Sequence, residues 1–241
     1  MSKQAKITFH GGTGSVTGAN FLFEIDGKKI LVDCGLTQGT KLADDINWDK
    51  FPYDPAEMDY LFITHAHVDH IGRIPKLVHE GFKGKIYSTN PTKSLAVPML
   101  EDTSAILSKS REFDLGKFYN EGTLREVHSL WQGFDYHESI TLTPDLSVSF
   151  FNAGHILGSA MVCFTYMGKK TLFTGDLGNS PSPLLPDTEI VSDVDYMVME
   201  SVYGDRNHES RGERRKFLEL SLIHISEPTR LRRISYAVFC L

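Results

Sequence analysis

Short apolar runs alternate along this chain with helical stretches, and most of the runs stop at glycine or at a polar turn. Lys6–Phe9, Asn20–Ile25 and Lys29–Val32 read as early strands, the last two joined by Asp26-Gly27, a dipeptide suited to a two-residue hairpin turn. Tyr60-Leu61-Phe62-Ile63 reads as a short buried strand, Ile71–Glu80 as a helix interrupted near Pro75, and Thr92–Tyr119 as largely helical. Asp135–Phe151 returns to strands, and Met161–Thr174 makes a hairpin around Met167-Gly168. Thr37–Glu57 is a polar loop dotted with Trp48, Phe51 and Tyr53. Those aromatics can stack on bases, although a loop packed by its own aromatics is the commoner arrangement. The chain contains no internal repeat, low-complexity tract or Gly/Ser linker.

The chemistry is concentrated where an apolar run ends. Thr64-His65-Ala66-His67-Val68-Asp69-His70 places three imidazoles and a carboxylate directly after the Tyr60–Ile63 strand. Imidazole with carboxylate suits a borderline divalent ion, Zn²⁺ first, with Mn²⁺ or Fe²⁺ as alternatives. In an extended segment His65 and His67 project to one side, and a tight turn lets Asp69 and His70 face a second point nearby, so two adjacent metals are expected. Two further strands end in turns carrying one donor each, Val148–His155 and Lys170–Asp176, and in both a glycine precedes the donor and permits a sharp backbone path. The expected arrangement has His65, His67 and His155 around one metal, Asp69 and His70 on the other, and Asp176 bridging. Asp33, at a strand end, is expected to orient a ligand imidazole. A closed structural zinc site would draw on grouped cysteines, whereas Cys34, Cys163 and Cys240 are dispersed, so a site with open positions fits better. Cys34 itself reads as a buried thiol, not a nucleophile. Gly11–Gly18 lacks the Lys-Ser/Thr ending of a phosphate-binding P-loop.

The order His-x-His-x-Asp-His, then Gly-His, then Gly-Asp resembles the metallo-β-lactamase superfamily of two-metal hydrolases. Gly11–Asn20, Leu31–Gly39, Ala153–Ala160 and Tyr196–His208 are similar to its β-CASP branch, the RNA-processing nucleases that include the endonuclease subunit of pre-mRNA cleavage and polyadenylation. The resemblance runs from about Lys6 to Phe217. It implies an α/β fold, a four-layer αββα sandwich, and hydrolysis of RNA phosphodiester bonds by a two-metal-activated water. Single-stranded RNA is the implied substrate, Asp69, Asp176 and Glu200 the implied catalytic groups, and a cytoplasmic homodimer the implied full-length state. Glu200 is implied to form an acid pair with a histidine that is not found here. Val202 stands where the branch usually has Thr, and Asn179 where Arg is common.

By the same resemblance the sandwich is expected to be incomplete, with residues 1–207 as the amino-terminal part of the lactamase domain and 208–220 as the start of an inserted β-CASP domain. Isolated, such a fragment is expected to be unstable and inactive, because it leaves a sheet edge and part of its core uncovered. Residues 221–241 resemble translated adapter read-through and are expected to be non-native. A basic or apolar C-terminal anchor is the competing reading.

Composition narrows the classes further. The 241 residues are 41% hydrophobic, enough to bury one core, and no apolar run reaches the length of a bilayer span or a signal peptide. The cysteines form no disulfide framework, which points to a reducing compartment. Net charge is −6, and −8 without the residues from Ser221 on, so RNA is not held by a general basic surface. A small-molecule hydrolase acting on thioesters or β-lactams is the alternative, but it does not account for the Glu200–Arg206 block.

Overall fold

The computed structural model describes residues 4–39, 46–107, 115–179, 181–182, 184–206 and 211–226. The chain forms two compact units, residues 1–200 and 201–241. Of the expected non-native tail, residues 227–241 lie outside the described residues.

Two mixed sheets make up the first unit. One has the order β1 (Lys6–Gly11), β2 (Asn20–Ile25), β3 (Lys28–Val32), β4 (Tyr60–Phe62), β5 (Lys85–Thr89), β6 (Trp131–Phe134). The other runs β11 (Tyr196–Val198), β10 (Lys169–Phe173), β9 (Ala160–Tyr166), β8 (Leu146–Asn152), β7 (Ile140–Thr143). The hairpin turns are those expected. Asp26 and Gly27 take φ of 50° and 73°, and Met167 and Gly168 take 47° and 78°, which matches the right-handed twist of the strands they join.

The sheets face one another through a layer of aromatic and branched side chains. Phe23, Ile30, Val32 and Phe62 of the first sheet meet Val148, Phe150, Val162, Phe164 and Phe173 of the second. Phe164 lies edge-on to both Phe23 and Phe62, each at a centroid distance of 5.2 Å. The other face of the first sheet carries helices: α1 (Val68–Ile71), α2 (Ile74–His79), α3 (Asn90–Leu107) and α4 (Glu121–Leu130). Leu31, Leu61 and Ile63 pack there against Ile71, Ile74, Leu77, Leu100 and Trp131. On the outer face of the second sheet Met161, Cys163 and Leu172 are met by Leu177, Val191 and Val194. The two-sheet α/β sandwich is thus the expected one.

Several elements depart from the sequence reading. The break in the expected Ile71–Glu80 helix falls at Gly72-Arg73, and Pro75 sits in the first turn of α2, where its missing N–H costs nothing. Of the long helix expected over Thr92–Tyr119, the described part is Asn90–Leu107, residues 108–114 lie outside the described residues, and Leu115–Lys117 form a 3-10 turn. A separate helix, α4, begins where the Asn120 side chain accepts from Thr123 N, and it runs straight into β6.

Trp48, Phe51 and Tyr53 pack inward, forming no stacking platform. Phe51 stacks on Tyr53 at 5.2 Å, and Trp48 on Phe118 at 6.1 Å. Beneath Phe51 lies Lys76, which is fully buried. Its ammonium is 4.0 Å from the Phe51 ring centroid, donates to Asp49 O at 2.6 Å and pairs with Glu80 at 2.9 Å.

The second unit contains α5 (Arg211–Ser226), on which Glu213, Arg215 and Lys216 are exposed. Among the described residues no helix is long and apolar enough to cross a membrane.

Candidate metal centre

Parallel strands share their carboxyl ends, and that is what gathers the donors. β3 and β4 are parallel neighbours, so Asp33 and the Thr64–His70 turn leave the first sheet at the same edge. In the second sheet β8 and β10 run the same way on either side of β9, and β11 is parallel to β10, so His155, Asp176 and Glu200 follow three strand ends at one edge. Ala160 N donates to Thr64 O at 2.8 Å and ties the two edges together.

His65, His67, His155 and Asp176 each offer one donor atom, and these four atoms all lie within 4.8 Å of one another. The His67 nitrogen is 3.0 Å from that of His65 and 3.1 Å from that of His155. Asp176 Oδ2 is 3.8 Å from His65 Nε2 and 3.7 Å from His155 Nε2. Donors around a tetrahedral zinc at 2.0–2.1 Å stand about 3.3 Å apart, so this set fits a single cation. Burial pushes the pKa of His65 well down, and that of His67 down, with the neighbouring imidazoles adding to both, so the rings are neutral donors.

The other oxygen of Asp176 faces elsewhere. Oδ1 is 3.3 Å from His70 Nε2, which is itself 3.8 Å from Asp69 Oδ2. His70 is backed by Asp33, whose Oδ2 is 2.7 Å from His70 Nδ1. Burial alone would depress the His70 pKa, but Asp33 and Asp176 outweigh it and raise the ring to about 10. The His70 proton in turn helps to hold Asp176 below the ordinary carboxylate range, against the opposing effect of its burial.

Local sequence explains how each group is held. Asp33 is fully buried at φ 58°, a left-handed conformation that costs a non-glycine residue of order 1–3 kcal/mol. It is over-determined by contacts: Thr64 N donates to Oδ1 at 2.9 Å, Thr64 Oγ1 to Oδ2 at 2.8 Å, and Asn20 Nδ2 to its carbonyl at 2.9 Å. Two residues on, Gly35 lies so close to the Asp69 carbonyl that a Cβ there would sit 1.5 Å from it. Cys34 N meanwhile donates to His70 O at 2.8 Å. The Asp33-Cys34-Gly35 backbone therefore serves as the floor under the Asp69-His70 turn. The Cys34 thiol is fully buried and pushed up to about 11 by that burial, which leaves it inert as a nucleophile.

Gly154 and Gly175, the glycines before His155 and Asp176, take φ of 69° and 54°, and Gly178 N donates to Ala153 O at 2.8 Å to bind the two turns. Glu200 stands at the rim of this second turn, where its carboxylate accepts from Leu177 N. Three supporting residues carried no role in the sequence reading. The Thr64 hydroxyl lies 3.1 Å from His65 Nδ1 as well as on Asp33. Ser159 Oγ accepts from His155 N, and Asn152 Oδ1 accepts from Gly154 N, shaping the His155 turn. Their presence inside the motif segments was the available signal.

The sequence profile of the metallo-beta-lactamase superfamily matches residues 16–223. Ribonuclease TTHA0252 of Thermus thermophilus is 36% identical over 216 residues, 89% of this chain and 48% of that protein. The RNase J-like protein of Methanocaldococcus jannaschii is 32% identical over 199 residues, 82% of this chain and 42% of that one. Cleavage and polyadenylation specificity factor subunit 3 of Dictyostelium discoideum is 30% identical over 220 residues, 90% of this chain and 28% of that one. The chain therefore belongs to the metallo-β-lactamase superfamily, in its β-CASP branch. It spans about half or less of the length of these curated relatives. A solved protein of unknown function from Enterococcus faecalis V583 aligns at TM-score 0.52 and 17% identity over 73% of this chain and 44% of its own, a likeness of fold alone.

Proposed function

We propose that the chain is the metal-holding part of a ribonuclease that hydrolyses RNA phosphodiester bonds at a two-cation centre. The observation that carries this reading is the split of Asp176, one oxygen turned to His65 and His155 and the other to His70. His65, His67, His155 and Asp176 would hold one divalent ion, and Asp69, His70 and Asp176 the other, with Zn²⁺ suited to the nitrogen-rich side and Mn²⁺ an alternative. When bound, such ions lower the pKa of water toward about 7 and neutralise charge on a phosphoryl group.

The chain's own residues supply the rest. Asp33 and the Thr64 hydroxyl fix the orientation of the His70 and His65 rings from behind. Gly35 lets the Asp69 turn settle against the strand edge. Because the chain is acidic overall, attraction of RNA to the site rests on the cations and on the rest of the full-length protein, which we take to be a cytoplasmic homodimer. Ribonuclease names on the relatives support RNA over a small ester as substrate.

Metal content and cleavage of labelled single-stranded RNA test the proposal, measured on this chain and on a full-length form, each beside D69A and H70A. Two bound ions and RNA cleavage abolished by both substitutions are expected of the full-length form. Intact RNA with turnover of a thioester or β-lactam would overturn the substrate class.

A further inference from the structure

Four contacts hold the segment that carries Asp176, and they differ in kind. Thr174 N donates to Val198 O at 3.0 Å, so the segment leaves β10 in register with β11. Gly175 lies against the Thr64 side chain, where a Cβ would come within 2.6 Å, and this sets Asp176 directly beside the His65 strand end. Gly178 N donates to Ala153 O on the His155 turn. Between these backbone and packing contacts, Leu177 N donates to Glu200 Oε1 at 2.5 Å, while the Leu177 side chain packs in the outer apolar cluster with Leu172, Val191 and Val194. Glu200 is locked in turn, because its own N–H donates to Thr174 Oγ1 at 3.2 Å, and that hydroxyl donates to Gly175 O at 2.8 Å.

The Glu200 carboxylate thus grips the peptide unit that immediately follows the Asp176 Cα. A charge-assisted hydrogen bond there is strong and directional. Asp176 needs such a grip more than any neighbour, since its two oxygens must face two different partners at once. A rotation that favours His70 over His155 would spoil one half of the cluster, and a site displaced by about 1 Å loses much of its function.

We propose that Glu200 is a positioning residue for Asp176: by holding the Leu177 amide it fixes the aim of the carboxylate that the two halves of the donor cluster share. This inference rests on the reading of that cluster as a metal centre. It gives Glu200 a role complete within this chain, distinct from the proton-donating pair that the family resemblance implies.

The test uses the full 241-residue chain as wild type, E200A, E200D and E200Q, with Zn²⁺ titrated against a chromophoric chelator and amide hydrogen exchange followed over residues 175–178. E200A removes the acceptor, E200D draws it back by one methylene, and E200Q keeps an acceptor oxygen at the same reach. Zinc affinity should fall about 10- to 100-fold in E200A and E200D, the scale of losing a partner that orients a ligand. The Leu177 amide should exchange faster in both, and E200Q should stay close to wild type in both measurements. Should metal-free E200A lose its circular dichroism spectrum, the gentler E200D carries the comparison. Unchanged zinc affinity in E200A and E200D overturns the positioning role and leaves the metal centre standing. A wild type that gives a folded circular dichroism spectrum and still takes up no zinc overturns the centre and the role together. Zinc uptake without RNA cleavage touches only the substrate assignment.

Discussion

The two halves of the donor cluster are built from the same residue types and behave oppositely. On the His65, His67 and His155 side the donor atoms converge, and burial with the neighbouring imidazoles pushes the pKa values of His65 and His67 down. On the His70 side the imidazole lies between Asp33 and Asp176, so it retains a proton that a cation would have to displace. His65 and His67 are thus prepared as neutral donors and His70 as half of an ion pair. Burial dominates where the partners are other imidazoles, and charge dominates where they are carboxylates. The second half should therefore fill later and depend more on pH.

The largest effect should come from Asp176→Ala, which takes one oxygen from each half at once. Metal uptake should fall by more than the roughly 100-fold that loss of an outer partner costs, with both ions affected, as native mass spectrometry of the metal-loaded protein would read. Uptake that drops from two ions to one would instead show that the halves are independent.

Asp33→Ala should separate the halves. Second-ion affinity should fall about 10- to 100-fold while the first is nearly unchanged. Thermal unfolding should also come earlier, because the Thr64 amide and hydroxyl lose a buried acceptor worth about 1–3 kcal/mol. Equal loss of both ions would break the contrast.

Gly35→Ala acts on the same half from beneath. A Cβ pressed against the Asp69 carbonyl should cost about 1–3 kcal/mol of stability in a denaturant melt, with His155 unaffected.

The smallest effect is the pH dependence. His70 is raised from 6.5 to about 10 in the folded chain, so its pairing stabilises the metal-free protein fully below pH 6.5 and is lost as pH climbs through about 10. Between pH 7 and 8 the proton competitor falls tenfold, and second-ion affinity should rise about tenfold. Asp33→Asn should flatten that slope in a zinc titration run between pH 7 and 8.

How much of this was legible beforehand follows from distance along the chain. His65, His67, Asp69 and His70 occupy one run, and His155 and Asp176 each follow a glycine at the end of an apolar strand, so their donors and even their backbone turns could be read locally. Thr64 gains its hold on Asp33 only when two strand ends from separate elements stand side by side, whereas Ser159 and Asn152 act within the His155 turn itself, where a hydroxyl or amide inside a motif segment was the one local signal. Helix α4 was missed for a different reason. It runs without a linker into β6, so the change of period that usually marks a boundary is absent, and only the Asn120 cap announced its start. Pro98 lies inside α3 without ending it, because packing against the sheet outweighs one lost backbone bond.

Lys76 carries a practical consequence. An amine that sits under an aromatic ring, engaged by a carbonyl and a carboxylate and with its pKa lowered by burial, is hidden from acylating reagents as long as the Phe51 loop stays down. The exposed Lys83 and Lys169 have no such cover. Brief labelling followed by peptide mapping would therefore give this protein an internal gauge of folding, with the mass shift at Lys76 counting only those molecules in which the loop has opened.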